Sequence, residues 1–202
     1  ALSLLPFTWK HLKNSLPVIR REIVGLFFYS LLGISGFQYL LFSGLLRSSA
    51  ISASVLSPTI PIMVACLSSV MLGEKLRGLQ ILGVIISFAG TCWIATTGKW
   101  INFLELRISL GESLILAANL FMAGYTIMLR KYPTSLSPLA FMTVLALMGA
   151  LQALPLSLME IGFIDGATAS MIFPLAILYI GLINYNLAYL LWNLAVKRHG
   201  AT

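Results

Sequence analysis

The sequence predicts an all-α polytopic membrane protein, with six membrane-spanning helices preceded by the end of a seventh. Three observations lead there. Of 202 residues, 59% are hydrophobic and 9% charged, whereas a soluble domain carries about 25% charged residues. So few charges cannot cover a water-facing surface. The charges also leave gaps of bilayer length, about 20 residues, at 23–46, 48–73, 78–98, 113–129, 132–159 and 166–196. Finally, none of these gaps shows the apolar/polar alternation of a barrel strand, and a helix is the other way to satisfy backbone amides in lipid.

The opening Ala1-Leu2-Ser3-Leu4-Leu5 reads as the tail of an earlier apolar helix. The first full span carries Gln38 and Tyr39 near its end. In the second, Ser49, Ala53 and Ser57 form a small-residue stripe, and Pro58 and Pro61 sit mid-helix, where each removes an amide donor and predicts a kink. The third repeats the stripe with Gly83, Ser87, Thr91 and Ala95, a pattern that lets helix backbones approach in a bilayer. The fourth carries Asn119 and Tyr125, the fifth Gln152. The sixth is the richest in polar groups: Asn186, Tyr189 and Asn193 share one face, and Tyr185, Tyr189 and Trp192 form an overlapping aromatic stripe beside Asn184.

A net charge of +7 raises the question of nucleic acid, but the cations occur in short clusters beside apolar gaps, where they anchor and orient helices. Assigning alternate sides places Lys10, Lys13, Arg20, Arg21, Lys75, Arg77, Arg130, Lys131, Lys197 and Arg198 on one face and Arg47, Lys99 and Arg107 on the other. The positive-inside rule makes the first face cytoplasmic, with both chain ends there. His11 and His199 fall in basic loops, and Cys66 and Cys92 lie inside apolar gaps as fillers. This gives no metal set, no nucleophile–base pair and no cofactor motif; neither an enzyme nor a nucleic-acid partner is expected. The expected partners are the lipid bilayer and a small-molecule solute; a homodimer is allowed but not indicated.

Tyr39-Leu40-Leu41-Phe42-Ser43 recurs as Tyr189-Leu190-Leu191-Trp192-Asn193, and each copy runs into a short basic turn. Under the assigned topology the copies cross the membrane in opposite directions. Such inverted repeats build many secondary transporters, with a binding site near the bilayer midplane. The symmetry also predicts that the chain is part of a longer protein, with helices missing at both ends.

Leu56-Ser57-Pro58, Leu72-Gly73-Glu74-Lys75 and Gln80-Ile81-Leu82-Gly83 with Gly90, followed by Leu110-Gly111-Glu112 and Ala188-Tyr189-Leu190-Leu191-Trp192, resemble in order and spacing the EamA-like permeases of the drug/metabolite transporter superfamily. The resemblance implies a ten-helix transporter of two inverted halves, mostly exporting metabolites or toxic compounds. This chain would supply helices three to eight and the end of helix two. Residues 1–98 would be the first repeat, 99–109 a linker and 110–202 the second repeat.

No Asp, Glu, Lys or Arg lies deep in any span, so the substrate cavity is expected to be neutral and polar. Its candidate lining residues are Gln38, Tyr39, Ser57, Pro58, Asn119, Tyr125, Asn184, Tyr185, Tyr189 and Trp192. Glu74 and Glu112 are read as helix-end acids that cap or orient their helices. The functional expectation is an exporter of small metabolites or drugs, working by alternating access in the cell membrane. The rival is a non-transporting membrane scaffold, whose small-residue stripes serve only assembly.

Overall fold

The computed structural model describes residues 15–48, 50–74, 78–95 and 109–160, together with Tyr179 and Leu191. The described residues form helices and contain no strand. Four helices among them are long and apolar enough to cross a membrane: Ile23–Leu45, Ser52–Leu72, Leu110–Lys131 and Pro138–Ser157. A further apolar helical stretch, Gly78–Gly90, is shorter. The chain is accordingly a multi-pass membrane protein, and the sixth expected span lies outside the described residues.

The first span is helical throughout but not uniform. It comprises α1 (Ile23–Ser30), a π turn (Leu31–Ser35) and α2 (Gly36–Leu45). At about 1.5 Å per residue it is about 34 Å long, enough for the hydrocarbon core. It ends where the Arg47 guanidinium turns back onto the Ser43 carbonyl at 3.0 Å, a cation on the negative end of the helix dipole.

The second span is broken into α3 (Ala50–Leu56) and α4 (Thr59–Leu72) by a turn at Ser57 and Pro58. The two prolines act differently from the mid-helix kinks expected of them. Pro58 is the N-cap of α4, and Pro61 falls in its first turn, where the missing N–H has no partner to lose. The break therefore lies off-centre, nearer the start of the span. Gly73 closes α4 in the left-handed conformation, φ 68°, which lacks steric cost only for glycine. Next comes α5 (Gly78–Ala95).

α6 (Leu110–Lys131) opens on a capping box. Glu112 N–H donates to Ser109 Oγ at 3.2 Å, and Ser109 N–H donates to Glu112 Oε2 at 2.9 Å. α7 (Pro138–Glu160) starts on Pro138 behind a Ser137 cap, whose Oγ accepts from the Ala140 N–H at 3.3 Å, and carries Pro155 internally.

The chain divides into two compact units. One holds the described residues up to Ser35 and from Tyr132 onward. In it α1 and the π turn pack on α7, with Leu26, Tyr29, Phe141 and Leu145 buried and the Tyr29 and Phe141 rings edge to face at 5.3 Å. The other unit is Gly36–Lys131. There α6 packs against α2, α3 and α4, around a core of Val64, Ala123 and Ile127.

Among the described residues, the glycines that neighbouring segments approach most closely are not those of α5. Gly83 and Gly90 have open space where a side chain would stand, whereas Gly44, Gly111 and Gly149 are closed in by other helices.

Candidate functional site

The break in the second span sets up a polar cluster in the Gly36–Lys131 unit. In an unbroken helix the Leu56 carbonyl would accept the Ile60 N–H. That donor instead turns to the Ser57 carbonyl at 3.1 Å. Leu56 O is left to other donors and receives two: Thr59 Oγ1 at 2.7 Å and, from α6, Asn119 Nδ2 at 2.9 Å. Asn119 Nδ2 also reaches Thr59 Oγ1 at 2.9 Å. Asn119 is 2% exposed and Thr59 is buried. An orphan carbonyl in an apolar interior costs on the order of 2–7 kcal/mol, so the polar residue of α6 and the broken backbone of α3–α4 satisfy one another.

Of the candidate cavity residues, Asn119 belongs to this cluster, and Ser57 and Pro58 form the turn between its partners Leu56 and Thr59. Ser57 is exposed, and its Oγ donates to the Ala53 carbonyl at 2.9 Å. Pro58 is also exposed. Gln38 is half-buried and Tyr39 is 47% exposed on α2, outside this hydrogen-bonded cluster. Tyr125 is fully buried on α6. Asn184, Tyr185, Tyr189 and Trp192 lie outside the described residues.

Beside the break, α4 and α5 enclose an open crevice of about 310 Å³ lined by Pro61, Ile62, Ala65, Gln80, Gly83, Val84 and Ser87. Its walls are apolar apart from Gln80 and Ser87. Pro61 begins this wall only a turn from Pro58, so the crevice and the broken helix share one end of α4.

The acids lie at helix ends. Glu74, turned back by the left-handed Gly73, accepts from Ser68 Oγ at 2.8 Å and from Arg130 at 2.7 Å, and pairs with Arg130 through both oxygens. Lys131 Nζ caps the Met71 carbonyl at 3.2 Å. Glu112 is engaged in its capping box. In the other unit Glu22 accepts from Thr134 Oγ1 at 2.6 Å and Ser135 Oγ at 3.0 Å. The Thr134 bond is the main reason its carboxyl lies below the usual carboxylate range, outweighing the opposing effect of partial burial. Among the described residues no group of His, Cys, Asp or Glu is placed to hold a metal ion.

Sequence reasoning missed a second polar cluster, in the unit containing the π turn. Gln152 of α7 donates from Nε2 to the Phe27 carbonyl at 3.2 Å, while its Oε1 accepts from Ser30 Oγ at 3.1 Å and from Ser35 Oγ. The signal available was a lone amide in an apolar span, which demands partners without naming them.

Two curated relatives from Bacillus subtilis (strain 168) are similar to this chain. One, named uncharacterized transporter YyaM, is 28% identical over 193 residues, covering 91% of this chain and 60% of the relative. The other, named uncharacterized transporter YetK, is 26% identical over 186 residues, covering 92% and 54%. The chain thus spans little more than half the length of these relatives. No solved structure matches it. The profile of the EamA-like transporter family matches residues 1–96 and 109–202, and the chain belongs to that family.

Proposed function

We propose that this chain contributes the helices of a secondary transporter that exports small metabolites or drugs by alternating access. The observation that carries the reading is the discontinuous second span. Asn119 binds the Leu56 carbonyl and the Thr59 hydroxyl on either side of the exposed Ser57–Pro58 turn, and an open crevice begins a turn further on at Pro61. Broken helices at membrane depth are tolerated where they are buried in protein or line a cavity, and in carriers they form substrate sites. The cluster is neutral, which favours a neutral or zwitterionic solute, recognised by hydrogen bonds and by the aromatic face expected of the sixth span. The reading is of a carrier without catalytic chemistry, and nothing in it requires a cofactor or a protein partner.

The proposed orientation puts both chain ends in the cytoplasm of a cell membrane. Within the Gly36–Lys131 unit, Glu74 meets Arg130 at one end of the bundle and Arg47 lies against Gly111 at the other. Within the other unit, Glu22 meets Thr134 and Ser135. Each pairing joins segments that the charge pattern assigns to the same side.

Proteoliposomes holding the protein, loaded with a panel of neutral, zwitterionic and charged metabolites, test the reading through efflux. Export of one or more uncharged or zwitterionic solutes, reduced in Asn119→Ala, is expected. Efflux equal to that of empty liposomes across the panel would return the protein to the scaffold reading.

A further inference from the structure

The break in the second span exposes Ser57, Pro58 and Pro61, and these three residues have no proton left to donate. Pro58 and Pro61 have no N–H. Ser57 has two protons to give, and both go to the Ala53 carbonyl oxygen, which takes its N–H at 3.0 Å and its Oγ–H at 2.9 Å.

Acceptors remain. A carbonyl oxygen and a hydroxyl oxygen each carry two lone pairs. The Ser57 carbonyl uses one on the Ile60 N–H at 3.1 Å; its partner in an unbroken helix would be residue 61, where a proline has nothing to give. The Ser57 hydroxyl, its proton committed to Ala53, can only accept from anything else. The buried side of the break shows the same surplus of acceptors: Thr59 Oγ1 and Asn119 Nδ2 both donate to Leu56 O.

The start of α4 does not reverse this pattern. A helix N-terminus ordinarily favours an anion through its unbonded N–H groups. Here Pro58 and Pro61 remove two of the first four, Ile60 spends a third on Ser57, and the fourth belongs to Thr59, which is buried. Positions 48–73 contain no Asp, Glu, Lys or Arg, so within the span no side-chain charge overrides the lone pairs. A surface that only accepts selects a ligand that donates. A primary ammonium carries three N–H donors, and hydrogen bonds from a charged donor are about twice as strong as neutral ones.

We propose that the Ser57 turn seats a protonated primary amine, held by the Ser57 carbonyl and hydroxyl oxygens. The inference deepens the transporter reading and rests on it for the ligand being cargo. It narrows the solute to an amine or an amino-bearing zwitterion, whose apolar part is left to the crevice that begins at Pro61. The same atoms refuse a carboxylate, which meets lone pair with lone pair, and a quaternary ammonium, which has no proton to donate.

The test reads binding to the whole chain and needs no transport. Butylammonium, butyltrimethylammonium and pentanoate share one butyl chain, and the first two share their charge. Saturation-transfer NMR with the protein in phosphatidylcholine nanodiscs, corrected with empty nanodiscs, is expected to show saturable binding of butylammonium about tenfold tighter than of either other probe. Ser57→Ala takes away one acceptor and should weaken butylammonium binding by about tenfold. Pro61→Ala gives the Ser57 carbonyl a competing N–H, should weaken binding in the same direction, and serves if Ser57→Ala does not fold. Equal binding of the two cations, tighter binding of pentanoate, no saturable butylammonium binding, or folded variants that bind like wild type would overturn the seat. Saturable binding by a protein that exports no amine would leave the seat standing and remove the transport reading. Efflux of amine-free solutes without butylammonium binding would do the reverse.

Discussion

Gly44 and Gly111 meet backbone to backbone: a Cβ built on either one would stand 2.8 Å from the carbonyl oxygen of the other. This contact seats the start of α6 against the end of α2, with Arg47 lying over Gly111. Since the crowding atoms are backbone, they cannot swing away as a flexible side chain would. Gly111→Ala is expected to destabilise the protein by about 1–3 kcal/mol, read as a shift in the detergent-unfolding transition. Gly25→Ala is the control, because nothing lies within 4 Å of that position; it should leave stability unchanged or slightly raised. Equal behaviour of the two variants would show that the close approach carries no strain.

Asn119→Ala should cost about 1–2 kcal/mol, since it removes one of the two donors to Leu56 O and a donor to Thr59 Oγ1. Hydrogen exchange offers a sharper reading than global unfolding. The amides of Ser57, Thr59, Ile60 and Ile62 are expected to exchange faster in the variant, while those at 123–128 hold. Uniform change along α6 would argue that the side chain acts by packing.

Arg130 and Glu74 join the ends of α6 and α4 through a two-pronged contact about one third exposed. Partial solvation limits its worth to about 1 kcal/mol. A double-mutant cycle of Glu74→Gln and Arg130→Gln should return a coupling of that size at low salt, falling as salt screens the pair. A salt-independent coupling would assign the effect to Ser68, which shares the Glu74 carboxylate.

The Glu22 carboxylate is held below its ordinary range chiefly by Thr134. A lowered folded-state pKa stabilises the native chain above the unfolded value, and that contribution disappears as pH falls through the folded one. Stability of the 132–137 connection should therefore drop below about pH 4.5, read by exchange or limited proteolysis. Thr134→Val should flatten this acid dependence and lower the plateau at neutral pH. An unaltered acid transition in Thr134→Val would mean that other carboxylates govern it.

Much of this architecture was legible because its causes are local. Hydropathy adds up along the chain, so the apolar gaps announce spans whatever packs beside them. Ser109 and Glu112 cap α6 across three residues, and Gly73 ends α4 by its own backbone freedom. Pro58 likewise foretold an interruption. The role of Pro61 was less legible, because its cost depends on whether it falls inside a helix or in the first turn of a new one.

The chain's residue types sufficed to place it in a bilayer as helices, to locate most helix ends and to suggest its family, since each follows from the solvation of short segments. The tertiary structure was needed for everything joined across distance. Asn119 satisfies a carbonyl 63 positions earlier, and Gln152 supports a π turn more than 115 positions before it. A buried amide states only that it must have partners. Which carbonyl or hydroxyl it meets is set by the helix faces that pack together, and close approaches at Gly44, Gly111 and Gly149 make those pairings geometrically possible.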